Sequence, residues 1–218
     1  MATLGKKTLV QNTDYKVSYK NNKNRGKATV TITGIGSYNG SCQATFDIVQ
    51  KVTPEVTLSA KTFAYTGKAV TPKVVVKISG KTVSSTGYTV KMSTGRKALG
   101  TYKVAVTLKG YYRGTKTVAF KIVPKGTNVT KFIAGKNAFA VRWTAQKTQT
   151  TGYQIQYSTS DKFKSAKTVT VKGNGNVTKK VTNLAAKKRY YVRVRTYKSV
   201  GKTIYYSTWS KAKTVITK

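Results

Sequence analysis

Histidine is absent from the 218 residues, acidic side chains number four, and there is one cysteine. Each shortage excludes a class of chemistry. Without imidazole the chain lacks the usual general base, the commonest metal ligand and the middle member of most hydrolytic triads. The acids, Asp14, Asp47, Glu55 and Asp161, are scattered, so a carboxylate pair or an oxygen-ligand metal cage would need distant residues to converge. Cys42 alone rules out an internal disulfide and a Cys-rich zinc site. No phosphate loop of the Gly-x-x-x-x-Gly-Lys type occurs, and no apolar run reaches signal or membrane-spanning length. The expectation is a non-enzyme with no cofactor, no metal site and no membrane span. Cysteine usage does not settle the compartment.

What is abundant is positive charge and β-forming residues. Lys and Arg total 42, giving a net charge of +38, while 39% apolar and 11% aromatic residues supply the material for cores. Residues 26–49 match residues 100–123 without a gap, an offset of 74 residues. Gly26, Val30, Ile32, Gly36, Tyr38, Gly40, Phe46, Ile48 and Val49 find counterparts in Gly100, Val104, Val106, Gly110, Tyr112, Gly114, Phe120, Ile122 and Val123. With one gap the match extends back, pairing Thr8, Leu9, Tyr15 and Val17 with Thr82, Val83, Tyr88 and Val90. The chain carries a duplicated module.

Within each copy a Val/Thr/Ile-rich strand meets a Gly-x-Tyr-x-Gly turn and then a second strand. The turn tyrosines, Tyr38 and Tyr112, are expected to fold back over the core edge. Phe46 and Ile48, like Val118, Phe120 and Ile122, alternate with polar or small residues, which predicts one buried face per strand. The first copy has no counterpart to Pro54 through Lys77, so its leading strands are missing or come from elsewhere, and a sandwich short of strands exposes backbone edges. The expectation is a C-terminal piece of a longer protein; if that protein is exported, its signal lies upstream and Met1 is an added or an internal start.

The run Asp14-Tyr15-Lys16-Val17-Ser18-Tyr19 with the Gly-x-Tyr-x-Gly turn, and in the second copy Phe63-Ala64-Tyr65-Thr66-Gly67 followed by Pro72, resembles bacterial immunoglobulin-like repeats of secreted and surface proteins. The second copy departs from the first in having Gly87 and Met92 where the first has Asp14 and Tyr19. The resemblance implies tandem β-sandwiches of Gram-positive, Firmicutes-type surface proteins.

From about Gly126 the 74-residue repeat stops and another all-β pattern begins. Phe139, Val141 and Trp143 alternate on one strand, Tyr153, Ile155 and Tyr157 on the next, with Asn174-Gly175 as a turn and Tyr190, Val192 and Val194 continuing the inward set. The spacing from Leu184 to Tyr190 is similar to a tyrosine corner, and with Trp143 it resembles a fibronectin type III module. The domain expectation is 1–52 and 53–125 as Ig-like repeats, the first short of its N-terminal strands, and 126–218 as a fibronectin type III-like domain. Pro54 and Pro124 restrict the junctions Lys51–Pro54 and Pro124–Asn128, which predicts an elongated array.

Arg193 and Arg195 fall on the outward face of their strand, and Tyr206-Ser207-Thr208-Trp209-Ser210 lies just before the last strand, where some fibronectin-type domains stack Trp between arginines. A cation–π ladder there would contribute about 0.5–1 kcal/mol per exposed contact. Trp209 reads either as a folded-down packing residue or as a ligand platform. Tyr111, Tyr191, Tyr197 and Tyr205 fall out of phase with the inward residues and offer faces for sugars, bases or neighbouring domains. The candidate ligand-binding set is therefore Arg193, Arg195, Trp209, Tyr205 and Tyr111.

Two functions follow. One is a non-catalytic, cationic stalk or adhesion module, secreted or at the cell surface, that holds anionic cell-wall polymers or polysaccharides. The other is a carbohydrate-binding accessory region of a polysaccharide-degrading enzyme. Nucleic-acid binding would be non-specific, since no recognition helix or reading motif is present. Oligomeric state is left open.

Overall fold

The computed structural model describes Met1–Lys218 as an all-β chain with one 3-10 turn, Ser85–Gly87. Short Val-, Thr- and Ile-rich runs punctuated by Gly, Asn and Pro give many short strands rather than a few long ones. The first repeat holds β1 (Ala2–Leu4), β2 (Lys7–Leu9), β3 (Tyr15–Lys20), β4 (Gly26–Gly34) and β5 (Ser41–Ile48), followed by β6 (Gln50–Lys51). The second holds β7 (Glu55–Leu58), β8 (Thr62–Ala64), β9 (Val74–Ile78), β10 (Lys81–Thr82), β11 (Tyr88–Met92), β12 (Gly100–Leu108), β13 (Tyr112–Arg113) and β14 (Thr115–Val123). The remainder holds β15 (Val129–Gly135), β16 (Ala138–Trp143), β17 (Gly152–Ser158), β18 (Lys167–Lys172), β19 (Thr178–Val181), β20 (Arg189–Val200), β21 (Thr203–Tyr206) and β22 (Lys213–Ile216). By compactness these residues form two units.

One unit comprises Met1–Thr57, Val74–Lys91 and Ala105–Val118. In it β1 and β2 form a hairpin, and β3, β4 and β5 form an antiparallel sheet in that order. The strands β10, β9 and β7 form another sheet, and β6 runs parallel to β13 with Gln50 opposite Tyr112. The stretch expected as a linker, Lys51–Pro54, thus starts as a paired strand, and Pro54 is buried. The core is Val76, Ile78, Val106 and Leu108, with Val52, Val56, Val83, Tyr88 and Tyr112 against it. Burying such an aliphatic side chain stabilises by about 1.5–3 kcal/mol. Tyr112 folds over this core, as its turn position predicts.

The first repeat has no such core. Alternation in β5 predicts a buried Phe46, yet that ring is 40% exposed and its edge-to-face neighbour Tyr19, on β3, is 57% exposed. The reason is missing cover: β5 is the edge of its sheet, and the first repeat contains no strands equivalent to β7 and β8.

The other unit comprises Leu58–Lys73, Met92–Val104 and Ala119–Lys218. Here β8 runs parallel to the end of β14, Thr62 opposite Lys121 and Ala64 opposite Val123. That pairing seats Phe63 edge-on against Phe120, ring centroids 5.5 Å apart, and leaves Phe120 only 1% exposed. The residues from β15 onward form two sheets, one of β15, β16 and β19, the other of β18, β17, β20 and β21 with β22 also on β20. Their inner faces share one core containing Phe139, Val141, Trp143, Tyr153, Ile155, Val192 and Val194. The Ala185 N–H donates to Tyr190 Oη at 3.2 Å, which makes the expected tyrosine corner.

Candidate functional site

The alternation of β20 decides which side chains leave the core. Tyr190, Val192, Val194 and Thr196 are buried, so Arg193 and Arg195 project from the other face, half-buried. Register then supplies their partners. On β17, Gln156 lies opposite Arg193 and Gln154 opposite Arg195. Gln156 Oε1 accepts from Arg193 Nε at 2.8 Å and Nη2 at 2.5 Å, and Gln154 Oε1 from Arg195 Nε at 3.0 Å and Nη2 at 2.7 Å. The amide nitrogen of Gln154 donates onward to Thr170 Oγ1 on β18 at 3.2 Å. Each guanidinium is thereby held flat, with its faces free to stack.

Aromatic rings fill those faces. The Arg193 guanidinium carbon lies 3.9 Å from the Phe163 ring centroid and 5.0 Å from Trp209, and that of Arg195 lies 4.3 Å from Trp209 and 4.0 Å from Tyr206. The result is a ladder, Phe163–Arg193–Trp209–Arg195–Tyr206, with Trp209 between two cations. Burial pushes the pKa of both arginines down, and the neighbouring Arg193 adds to this at Arg195 while Tyr206 opposes it. An arginine still remains charged at any physiological pH.

The serines around Trp209 fix it in place. Ser207 Oγ accepts from the Thr196 N–H at 3.1 Å and Ser210 Oγ from the Val194 N–H at 3.1 Å, while the N–H groups of Ser207 and Ser210 donate to the Thr196 and Val194 carbonyls. Side-chain oxygens so take the place of strand carbonyls along β20 between β21 and β22. The short spacing Tyr206-Ser207-Thr208-Trp209-Ser210 is thus the edge of a sheet turned into a clamp.

Of the residues expected from sequence, Arg193, Arg195 and Trp209 come together here. Tyr205 sits on β21 opposite Lys198, one residue out of phase with Tyr206, and stands outside the ladder. Tyr111 belongs to the first-described unit, where its carbonyl accepts from the Gln50 N–H and its ring is partly exposed. Tyr191 is half-buried, and Tyr197, out of phase with the core residues and on the same face as Arg195, is nonetheless buried there because its ring lies over Gly152 and against Tyr206. Phe163, Gln154 and Gln156 escape sequence reasoning, although alternation from Tyr153 and Ile155 would have placed both glutamines outward.

The second candidate feature is the charged surface itself. No Lys or Arg is buried, and every lysine except Lys198 is exposed. A single ion pair forms, Lys27 Nζ to Asp47 Oδ1 at 3.3 Å. Lys7 lies over the Tyr38 ring at 5.3 Å, and its interaction with the Tyr38 side chain pushes its pKa up. Groups of three or more His, Cys, Asp or Glu side chains do not gather anywhere, and no helix is long and apolar enough to cross a membrane.

A tyrosine corner, a central Trp and a two-sheet core with β20 at its middle are the marks of one domain family. Residues 123–213 match the fibronectin type III domain. Among solved structures the chain is similar to the fibronectin type III domain of human contactin 1, at 22% identity over 44% of this chain and 80% of that one, TM-score 0.37. It is similar also to the FN1–FN3 domains of chicken CNTN1, at 17% identity over 87% of this chain and 77% of that one, TM-score 0.39. A β-1,2-glucanase from Parabacteroides distasonis matches at 16% identity over 52% of this chain and 17% of that one, TM-score 0.35. No curated protein matches the chain.

Proposed function

We propose that the chain is a non-catalytic stalk or adhesion module that holds anionic polymers at a cell surface through its lysines, with the β-modules acting as their scaffold. The observation that carries this reading is that 42 basic side chains meet four acidic ones, that lysines are exposed in every part of the chain, and that one ion pair neutralises so little of them. Such a field concentrates polyanions with an affinity set by counterion release. The fibronectin type III domain fits a non-catalytic role and is common in extracellular proteins. Tandem Ig-like repeats of a secreted Gram-positive protein belong to the same reading.

The carbohydrate-platform alternative loses support from the ladder, since the ring of Trp209 is shared by two guanidinium groups. Retention on purified Gram-positive cell walls across a salt series tests the proposal. Binding that falls steeply with salt and disappears when the anionic wall polymers are stripped is the expected outcome. Retention unchanged at high salt, or on stripped walls, overturns it.

A further inference from the structure

We propose that the open side of the first repeat is a docking site for an extended strand with the side-chain pattern of Gln50–Ala64, supplied by another repeat of the same kind. The duplication provides the template, because each vacancy in the first copy is filled in the second.

Two strand positions show this. In the second copy β6 lies parallel to β13, and the Gln50 and Val52 N–H groups donate to the Tyr111 and Arg113 carbonyls. The equivalent carbonyls of the first copy, at Ser37 and Asn39, lie beside the turn with no strand next to them. In the second copy β8 also lies along β14, where the Lys121 N–H donates to the Lys61 carbonyl and the Tyr65 N–H to the Val123 carbonyl. The counterparts, Asp47 and Val49, lie at or just beyond the end of β5, the edge of its sheet.

Side-chain space agrees. A Cβ added at Gly114 would overlap the Val52 carbonyl oxygen, so glycine is required where that strand passes; the same addition at Gly40 meets nothing within 4 Å. Val52 and Val56 cover Val106 and Leu108 in the second copy. In the first, the corresponding region is a cleft of about 420 Å3 lined by Leu4, Leu9, Tyr15, Ile32, Tyr38 and Cys42 among others. Phe63 covers Phe120, whereas Phe46 stands open beside Tyr19. An incoming strand therefore needs valine-sized residues at the positions of Val52 and Val56, an aromatic at that of Phe63, and a free backbone edge on each side. A second copy of this chain is the poorer occupant, because two bodies of charge +38 repel one another.

The test joins a second copy of residues 50–75 directly to Ala2 of the full chain, in place of Met1, so that the tether raises the local strand concentration. A control carries Val52→Lys, Val56→Lys and Phe63→Lys in the added copy only. Hydrogen exchange at the Asp47 amide and alkylation of Cys42 are read in both and in the untouched chain. The expected result is that both rates fall at least about tenfold with the added strand and not with the control. Unchanged rates, or equal protection by the lysine-bearing control, overturn the proposal. Concentration-dependent protection of Cys42 in the untouched chain also overturns it, since the occupant is then a second copy.

Discussion

Phe163 reaches Arg193 from a backbone conformation that aromatic residues rarely adopt, with φ at +54°. A non-glycine residue held there costs about 1–2 kcal/mol, which the stacked ring and the Phe163 N–H to Ser160 carbonyl bond of 3.0 Å offset. This is why it was illegible in the sequence: nothing in Asp161-Lys162-Phe163-Lys164 announces a left-handed residue or a partner some thirty residues away. The arginines and Trp209 were legible, because strict alternation along β20 put the arginines outward and the Ser-Thr-Trp-Ser run is short enough to read. Trp209→Ala removes the ring shared by both guanidiniums and is expected to destabilise the two-sheet domain of β15–β22 by about 1–3 kcal/mol, measured by urea unfolding. A midpoint within error of the parent would mean the stack contributes nothing. At Tyr157, burial raises the phenol pKa above its ordinary value of 10.0, with a further push from Tyr190. A folded-state pKa raised above the unfolded one gives stability that is complete below about pH 10 and is lost as pH climbs through the folded value. Tyr157→Phe is expected to flatten the loss of stability above pH 10 relative to the parent, as followed by thermal unfolding across pH 9–11.5.

At the scale of elements, β20 depends on hydroxyl groups where a neighbouring strand would supply carbonyls. Ser207→Ala leaves the Thr196 N–H, on a fully buried residue, without its acceptor, and is expected to cost about 1–3 kcal/mol. Ser210→Ala is expected to cost less, since Ser210 is only partly buried. Equal, negligible effects in urea unfolding would show that water replaces both oxygens. The turns make a second comparison. Gly114→Ala forces Val52 to move, whereas Gly40→Ala strains only its own backbone at φ +92°. The former is expected to lower the unfolding midpoint more, and the reverse order would contradict the packing of Val52 beneath the second turn. Strand identity was largely readable here from alternation and the glycine punctuation. Cover was not: β5 and β14 carry the same apolar rhythm, and only the presence of β8 beside one of them decides that Phe120 is buried and Phe46 open.

For the whole molecule, charge outweighs every other long-range term. With 38 uncompensated positive charges on 23.8 kDa, folding concentrates like charges, so screening favours the compact state. Raising the salt from about 10 mM to about 150 mM shortens the screening length from about 30 Å to about 8 Å and is expected to raise the melting temperature by several degrees. A flat or falling midpoint in calorimetry would mean the lysines are too well separated to matter. Composition alone made this legible, as it did the absence of imidazole chemistry, because net charge needs no register and no turn geometry.

The parallel pairing of β8 with β14 also bears on load. Tension that separates the two ends of the second repeat slides these strands along their length, so that their hydrogen bonds resist together instead of opening one after another. The first repeat, whose last strand β5 ends unpaired on that side, offers no such shear joint. Under pull the first repeat is therefore expected to give before that joint does, and a single-molecule stretching trace that opens the β8–β14 pairing first would contradict this.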